Sequence, residues 1–262
     1  MPTPRTLRLS DGSTVRVLEA GAGQPLLLIH GVGLRAEAWG PQMRLEAHVI
    51  AVDMPGHGDS TPLPPGARLP DYVAWAARVI EALGLGPVSV AGHSMGSLIA
   101  AGLAIDHPHL VTRVALLNGV HRRTPEARAA VLGRAAEIAT GVGSIQAPLA
   151  RWFTPDQADL RDQVAGWLRA VSPAGSAAAY RAFAEGDTAY ADRLGEIACP
   201  ALVLTADGDP NSTPEMTRAM AAMMQNGQAF VIPGHRHMVN LTAPRAVTQA
   251  LRDWLAPEEI AR

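Results

Sequence analysis

Six short apolar runs, none broken by alternating polar residues, set the tightest limit on what this chain can fold into. They are Pro25–His30, His48–Asp53, Val88–Gly92, Arg113–Asn118, Ala201–Thr205 and Gln228–Pro233. A strand with one face in water alternates polar with apolar. A strand covered on both faces by helices is apolar throughout, as in a parallel sheet. Amphipathic stretches lie between the runs, at Pro70–Leu83, Ser97–Asp106, Pro214–Met224 and Pro244–Leu255. This alternation predicts a mostly parallel, doubly wound α/β sheet. Ahead of it, Leu7–Ser10 and Val15–Ala20 flank the turn Asp11-Gly12-Ser13 and read as a hairpin.

The rhythm stops between His121 and about Gly195. No strand-like run occurs there, only helix-period sequence at Pro125–Thr140, Pro155–Val171 and Ala177–Glu185. Residues 120–195 are therefore expected to form a helical cap between the sixth and seventh strands, over a core made of 1–119 and 196–262. The cap carries Trp152, Phe153, Trp167, Tyr180, Phe183 and Tyr190. They are expected to serve partly as an apolar roof and partly as glue between cap helices.

Composition excludes several kinds of chemistry. All 22 basic residues are arginine, so no lysine exists for a Schiff base, pyridoxal-phosphate attachment or a Walker A loop. A net charge of −2 argues against a nucleic-acid or anionic-membrane partner. The single cysteine, Cys199, rules out an intrachain disulfide, a Cys-rich zinc site and a Cys-X-X-Cys pair, and reads as a small buried hydrophobe. Met1-Pro-Thr-Pro-Arg5 has no signal-peptide character, and no segment approaches the length of an apolar membrane span. A cytoplasmic location is expected.

The chemistry centres on Gly92-His93-Ser94-Met95-Gly96. It fits Gly-X-Ser-X-Gly in the required setting, with a strand run before it and a helix after it. Glycines permit the sharp turn, and the serine is left exposed at a helix N-terminus that favours negative charge. A serine hydroxyl needs a base, and the base an orienting acid. Two later loops, each after a strand, supply candidates: Asp207 or Asp209 in one, His235 or His237 in the other. Such strand ends are where open α/β sheets place their sites. The glycine-rich turn His30-Gly31-Val32-Gly33 frees main-chain N–H groups, and Val32 and Met95 form the natural oxyanion pair. His107-Pro-His109 and His235-Arg-His237 have no carboxylate cluster accompanying them, so no metal is expected.

With these residues in place, the chain resembles α/β-hydrolase-fold enzymes over nearly its whole length. The likeness rests on the elbow, on His30-Gly31 with Trp39 downstream, on Asp53-Met-Pro-Gly-His-Gly-Asp-Ser60, and on the cap position. It implies Asp209 as the acid, ahead of Thr213-Pro214, and His237 as the base, seven residues before Pro244. Ser94 argues against epoxide hydrolases and haloalkane dehalogenases, which carry aspartate there. His93 sets the chain apart from carbon–carbon hydrolases, with their usual Asn, and from perhydrolases, with Phe. Ser97 replaces a frequent glycine, with an effect expected on helix packing alone. Asn118 stands where some relatives hold an alternative acid.

The overall likeness is to small bacterial carboxylic-ester and enol-lactone hydrolases. It implies a cofactor-independent serine hydrolase of a small carboxylic ester, lactone or thioester. Carbon–carbon hydrolysis of dienoic acids and a non-catalytic small-molecule receptor are the alternatives. Candidate substrate contacts are His30, His121, Arg122, Trp152 and Tyr180. His30, with His57 and His93, also reads as a structural hydrogen bonder. Arg122 or Arg123 could grip a substrate carboxylate, although solvation at a helix start is the plainer account of both.

Overall fold

The computed structural model describes residues 2–256. Chain order begins with β1 (Thr3–Arg8), β2 (Thr14–Ala20), β3 (Pro25–Ile29), β4 (His48–Val52), α1 (Leu69–Leu83), β5 (Val88–His93), α2 (Met95–Asp106) and β6 (Val111–Leu117). Four helices follow: α3 (Pro125–Ala139), α4 (Gln146–Trp152), α5 (Ala158–Ala170) and α6 (Pro173–Gly186). The chain then returns through β7 (Ala201–Ala206), α7 (Pro214–Met223), β8 (Gly227–Ile232), α8 (Val239–Thr242) and α9 (Pro244–Leu255).

The eight strands form one sheet in the order β1-β2-β4-β3-β5-β6-β7-β8. The β1–β2 and β2–β4 pairings are antiparallel and the others parallel. This is an α/β-hydrolase fold, and the apolar runs explain how it closes. Successive side chains of a strand point to opposite faces. Leu27 and Ile29 of β3 pack with α1 and α2, while Leu26 and Leu28 pack on the other face with Trp39 and with Val247 and Leu251 of α9. Each face thus has its own core, which is why the runs of β3 to β7 do not alternate; the edge strand β8, apolar in sequence, is exposed along most of its length.

Some elements depart from their expected positions. β1 begins at Thr3, ahead of the expected Leu7, because an edge strand exposed along most of its length carries little apolar signal. α6 starts at Pro173, ahead of the expected Ala177, where the Ser172 hydroxyl accepts the Gly175 N–H at 3.0 Å. α4 was not expected, since a seven-residue helix containing Pro148 is too short to show a period. Strand order reverses at β3, which lies between β4 and β5. The crevice beyond the carboxyl ends of β3 and β5 is where a doubly wound sheet takes its ligand.

Candidate active site

One residue separates β5 from α2, and it is Ser94. Its backbone sits at φ 55° and ψ −117°, a conformation that costs a non-glycine residue about 1–3 kcal/mol. Ser94 occupies the N-cap position without using its side chain as a cap, so the hydroxyl is not spent on the helix. The Ser97 hydroxyl donates to the Ser94 carbonyl at 2.6 Å. Its contact is with the elbow itself, a correction to the expectation of a packing effect alone.

The two aspartates and the two histidines differ in their partners. Nδ1–H of His237 donates to Oδ2 of Asp209 at 2.8 Å, and both side chains are buried. Asn118 donates to the same oxygen at 2.8 Å, and the Asn211 N–H donates to Oδ1 at 2.8 Å. Burial works to raise the Asp209 carboxyl, but His237, Asn211 and Asn118 outweigh it and hold it below the ordinary range. Asp207 instead accepts the Gly234 N–H, and His235 pairs with Thr242.

His93 ties the elbow to this pair. Its Nε2–H donates to the His237 carbonyl at 2.8 Å, and the two rings lie 5.1 Å apart. Burial lowers His93 to about 3, so it is neutral. Ser94 and His237 border the same cavity. Among the described residues no hydrogen bond joins them, a looseness common before substrate tightens a site.

The turn after β3 is pressed against the elbow. A Cβ on Gly31 would lie 3.0 Å from Ser94 Cβ and 3.2 Å from His93 Nδ1, so a side chain there would press on the elbow. Two buried imidazoles lace the turn in place. His57 Nε2 accepts the Gly33 N–H at 2.9 Å, and His30 Nε2 accepts the Met54 N–H at 2.9 Å while its Nδ1–H donates to Gly31 O at 2.7 Å. Among the described backbone bonds, the Val32 and Met95 N–H groups donate to no protein acceptor. Two donors are thereby left beside Ser94.

Above the elbow lies a cavity of about 450 Å³, lined in part by the helices between β6 and β7. Trp152 and Tyr180 line it; His30, His121 and Arg122 do not. His30 is buried beneath the turn, its ring consumed by main-chain bonds. His121 borders a separate small void with Ser97 and Tyr190. Arg122, at φ 47°, turns outward to pair with Asp192. Its neighbour Arg123 turns inward, its side chain only 5% exposed, 3.4 Å from Asp187 and 4.4 Å from the centre of the Phe183 ring. Arg123 Nη2 is buried with no partner among the described residues.

Arg134, Arg151 and Arg169 also line the cavity, so the roof is only partly apolar. The sequence reading missed these three. For Arg134 a signal existed, because helical spacing puts it on one face of α3 with Ala127, Val131 and Ile138, all of which line the cavity. Burial raises the Tyr180 phenol, against the opposing pull of Arg134, Arg151 and Arg123. Among the described residues no three metal-ligating side chains gather.

A strained serine between strand and helix, on a doubly wound sheet with a capped crevice, defines a hydrolase of the α/β type. The chain belongs to the alpha/beta hydrolase family, whose model matches residues 26–250. It is 52% identical over 256 residues to the (E)-2-((N-methylformamido)methylene)succinate hydrolase of Acinetobacter baylyi, covering 96% of this chain and 97% of that protein. It is 27% identical over 259 residues to the 2-(acetamidomethylene)succinate hydrolase of Mesorhizobium japonicum, covering 92% and 91%. Among solved structures, a thermophilic esterase from Thermogutta terrifontis superposes with a TM-score of 0.86 at 27% identity, covering 97% and 98%.

Proposed function

We propose that this enzyme hydrolyses the acyl–nitrogen bond of a small dicarboxylic acid of the amidomethylene-succinate type, using Ser94 as nucleophile. The observation that carries the reading is Arg123. A buried guanidinium with an unpartnered nitrogen, in the wall of the cavity that Ser94 and His237 border, is suited to a carboxylate. Arg151 and Arg134, the latter also paired with Glu137, line the same cavity and supply charge for a second one. The substrates in the names of the two methylene-succinate hydrolases carry an amide on such a dicarboxylate, which supports this choice over a neutral ester, lactone or thioester.

In the mechanism, His237 Nε2 takes the Ser94 proton as Oγ bonds to the acyl carbon, with Asp209 holding Nδ1. The Val32 and Met95 N–H groups hold the oxyanion. Collapse breaks the carbon–nitrogen bond, and the His237 proton passes to the departing nitrogen, releasing an enamine. Water, deprotonated by His237, then cleaves the acyl-serine to a carboxylic acid and restores the hydroxyl.

Incubation with 2-(acetamidomethylene)succinate, followed by NMR of the acid released, tests the reading. The Ser94→Ala variant should lose on the order of 10⁴-fold or more in turnover, and a fluorophosphonate should label wild type only. Absence of released acetate, or turnover undiminished in Ser94→Ala, would overturn the reading. Products of carbon–carbon scission would do the same.

A further inference from the structure

The residue before His237 reaches away from the sheet and into the roof. Arg236 lies in the loop between β8 and α8, and its Nη1 donates to the carbonyls of Ala150 and Phe153, both at 2.9 Å. These carbonyls close the C-terminal end of α4, where carbonyls lack partners within the helix and the dipole favours a cation. Trp152 sits between the two tethered residues. Its ring lies 5.6 Å from that of His237, tilted by 31°, and both rings face the cavity. His237 is thus held at its imidazole Nδ1 by Asp209 and at its main-chain carbonyl by His93, with the Trp152 ring beside the imidazole.

We propose that Arg236 is a positioning residue: by capping α4 it fixes Trp152 against His237, so that one wall of the cavity moves with the base's own loop. Base and clamp are adjacent in sequence, so the wall cannot swing from the imidazole without breaking both carbonyl bonds. Phe153, at the same helix end, is buried in one apolar cluster with Leu34, Met238 and Leu241. Arg236 acts on the reaction only through Trp152. The inference rests on the reading of Ser94 and His237 as nucleophile and base for its chemical consequence, and on the geometry alone for its structural one.

Two measurements test it, both on the full-length protein. Hydrogen exchange read by mass spectrometry should show peptides spanning 146–153 exchanging about tenfold faster in Arg236→Met. Peptides of β3 and β5 should be unchanged, and Arg236→Lys should recover much of the protection. The rate at which a small fluorophosphonate labels Ser94 should fall about tenfold in Arg236→Met and in Trp152→Ala. In the double variant it should fall no further, since residues acting through one contact are not additive. Unchanged exchange in 146–153 would overturn the proposal, as would losses that multiply in the double variant. If wild type took up no label, the serine reading would fail while the exchange result still decided the clamp.

Discussion

At position 123 a guanidinium is held with its charge only partly answered. Burial lowers the Arg123 pKa and the Asp187 carboxylate raises it, but an arginine stays charged in either case. Asp187 is itself buried and shared, since Arg128 donates to it at 2.6 Å. Removing Arg123 therefore leaves that carboxylate paired, and the protein should fold. Losing one buried, hydrogen-bonded charge partner costs about 2–5 kcal/mol. For Arg123→Met we expect kcat/KM on an amidomethylene succinate to fall about 100-fold, mainly through KM. Turnover of p-nitrophenyl acetate, which carries no carboxylate, should stay within about twofold. Steady-state kinetics on both substrates checks this, and equal losses on the two would show that Arg123 is structural. Which of two adjacent arginines faces the cavity could not be read from their spelling. It depends on the positive φ at Arg122, which nothing local in the sequence announces.

Between elements, the decisive contact is that of α2 with β3. A Cβ on Gly96 would overlap the Ile29 carbonyl oxygen and stand 2.8 Å from that of His30. Neither backbone group can yield without moving the strand that carries the Val32 turn. Gly96→Ala should accordingly destabilise the fold by more than about 3 kcal/mol, or push α2 off β3 and slow Ser94 labelling at least 100-fold. Thermal melts and labelling rates check this, and a variant as stable and as reactive as wild type would contradict the packing. This local crowding is why the elbow was legible: the chemistry of a sharp turn is written in residues two apart. The pairing of Asp209 with His237 was legible only through the resemblance, because 28 residues separate them and the loops alone left Asp207 and His235 open. The roof was the least legible part. How helices dock on a sheet depends on long-range packing, so α4 and the cavity-lining Arg151 and Arg169 carried too weak a local pattern, and the face of α3 that Arg134 shares could be read without saying what it faced.

For the whole molecule, three neutral imidazoles make the fold sensitive to acid. Burial lowers His30 to about 4, and His57 and His93 to about 3. Each ring donates one N–H to a main-chain carbonyl, and two of them accept a main-chain N–H on the other nitrogen, so a second proton would set donor against donor. In the unfolded chain these histidines titrate near 6.5. Between that pH and their folded values the unfolded state binds the protons, so stability falls as pH falls. Their contribution is intact above pH 6.5. At pH 5 each has cost about 2 kcal/mol, about 6 together, a large part of the 5–15 kcal/mol typical of a domain. Asp209, held below its ordinary range, loses its contribution only at still lower pH. Asp53, raised by burial, works in the opposite sense and blunts only the acid end. Urea midpoints should therefore drop steeply from pH 7 to pH 5. In His57→Gln, whose amide can accept from Gly33 and donate to Pro55 without titrating, the drop should be shallower by one proton's share. A wild-type profile flat over that range would mean the rings are protonated in the fold, and that the turn beside Ser94 is not held by neutral imidazoles.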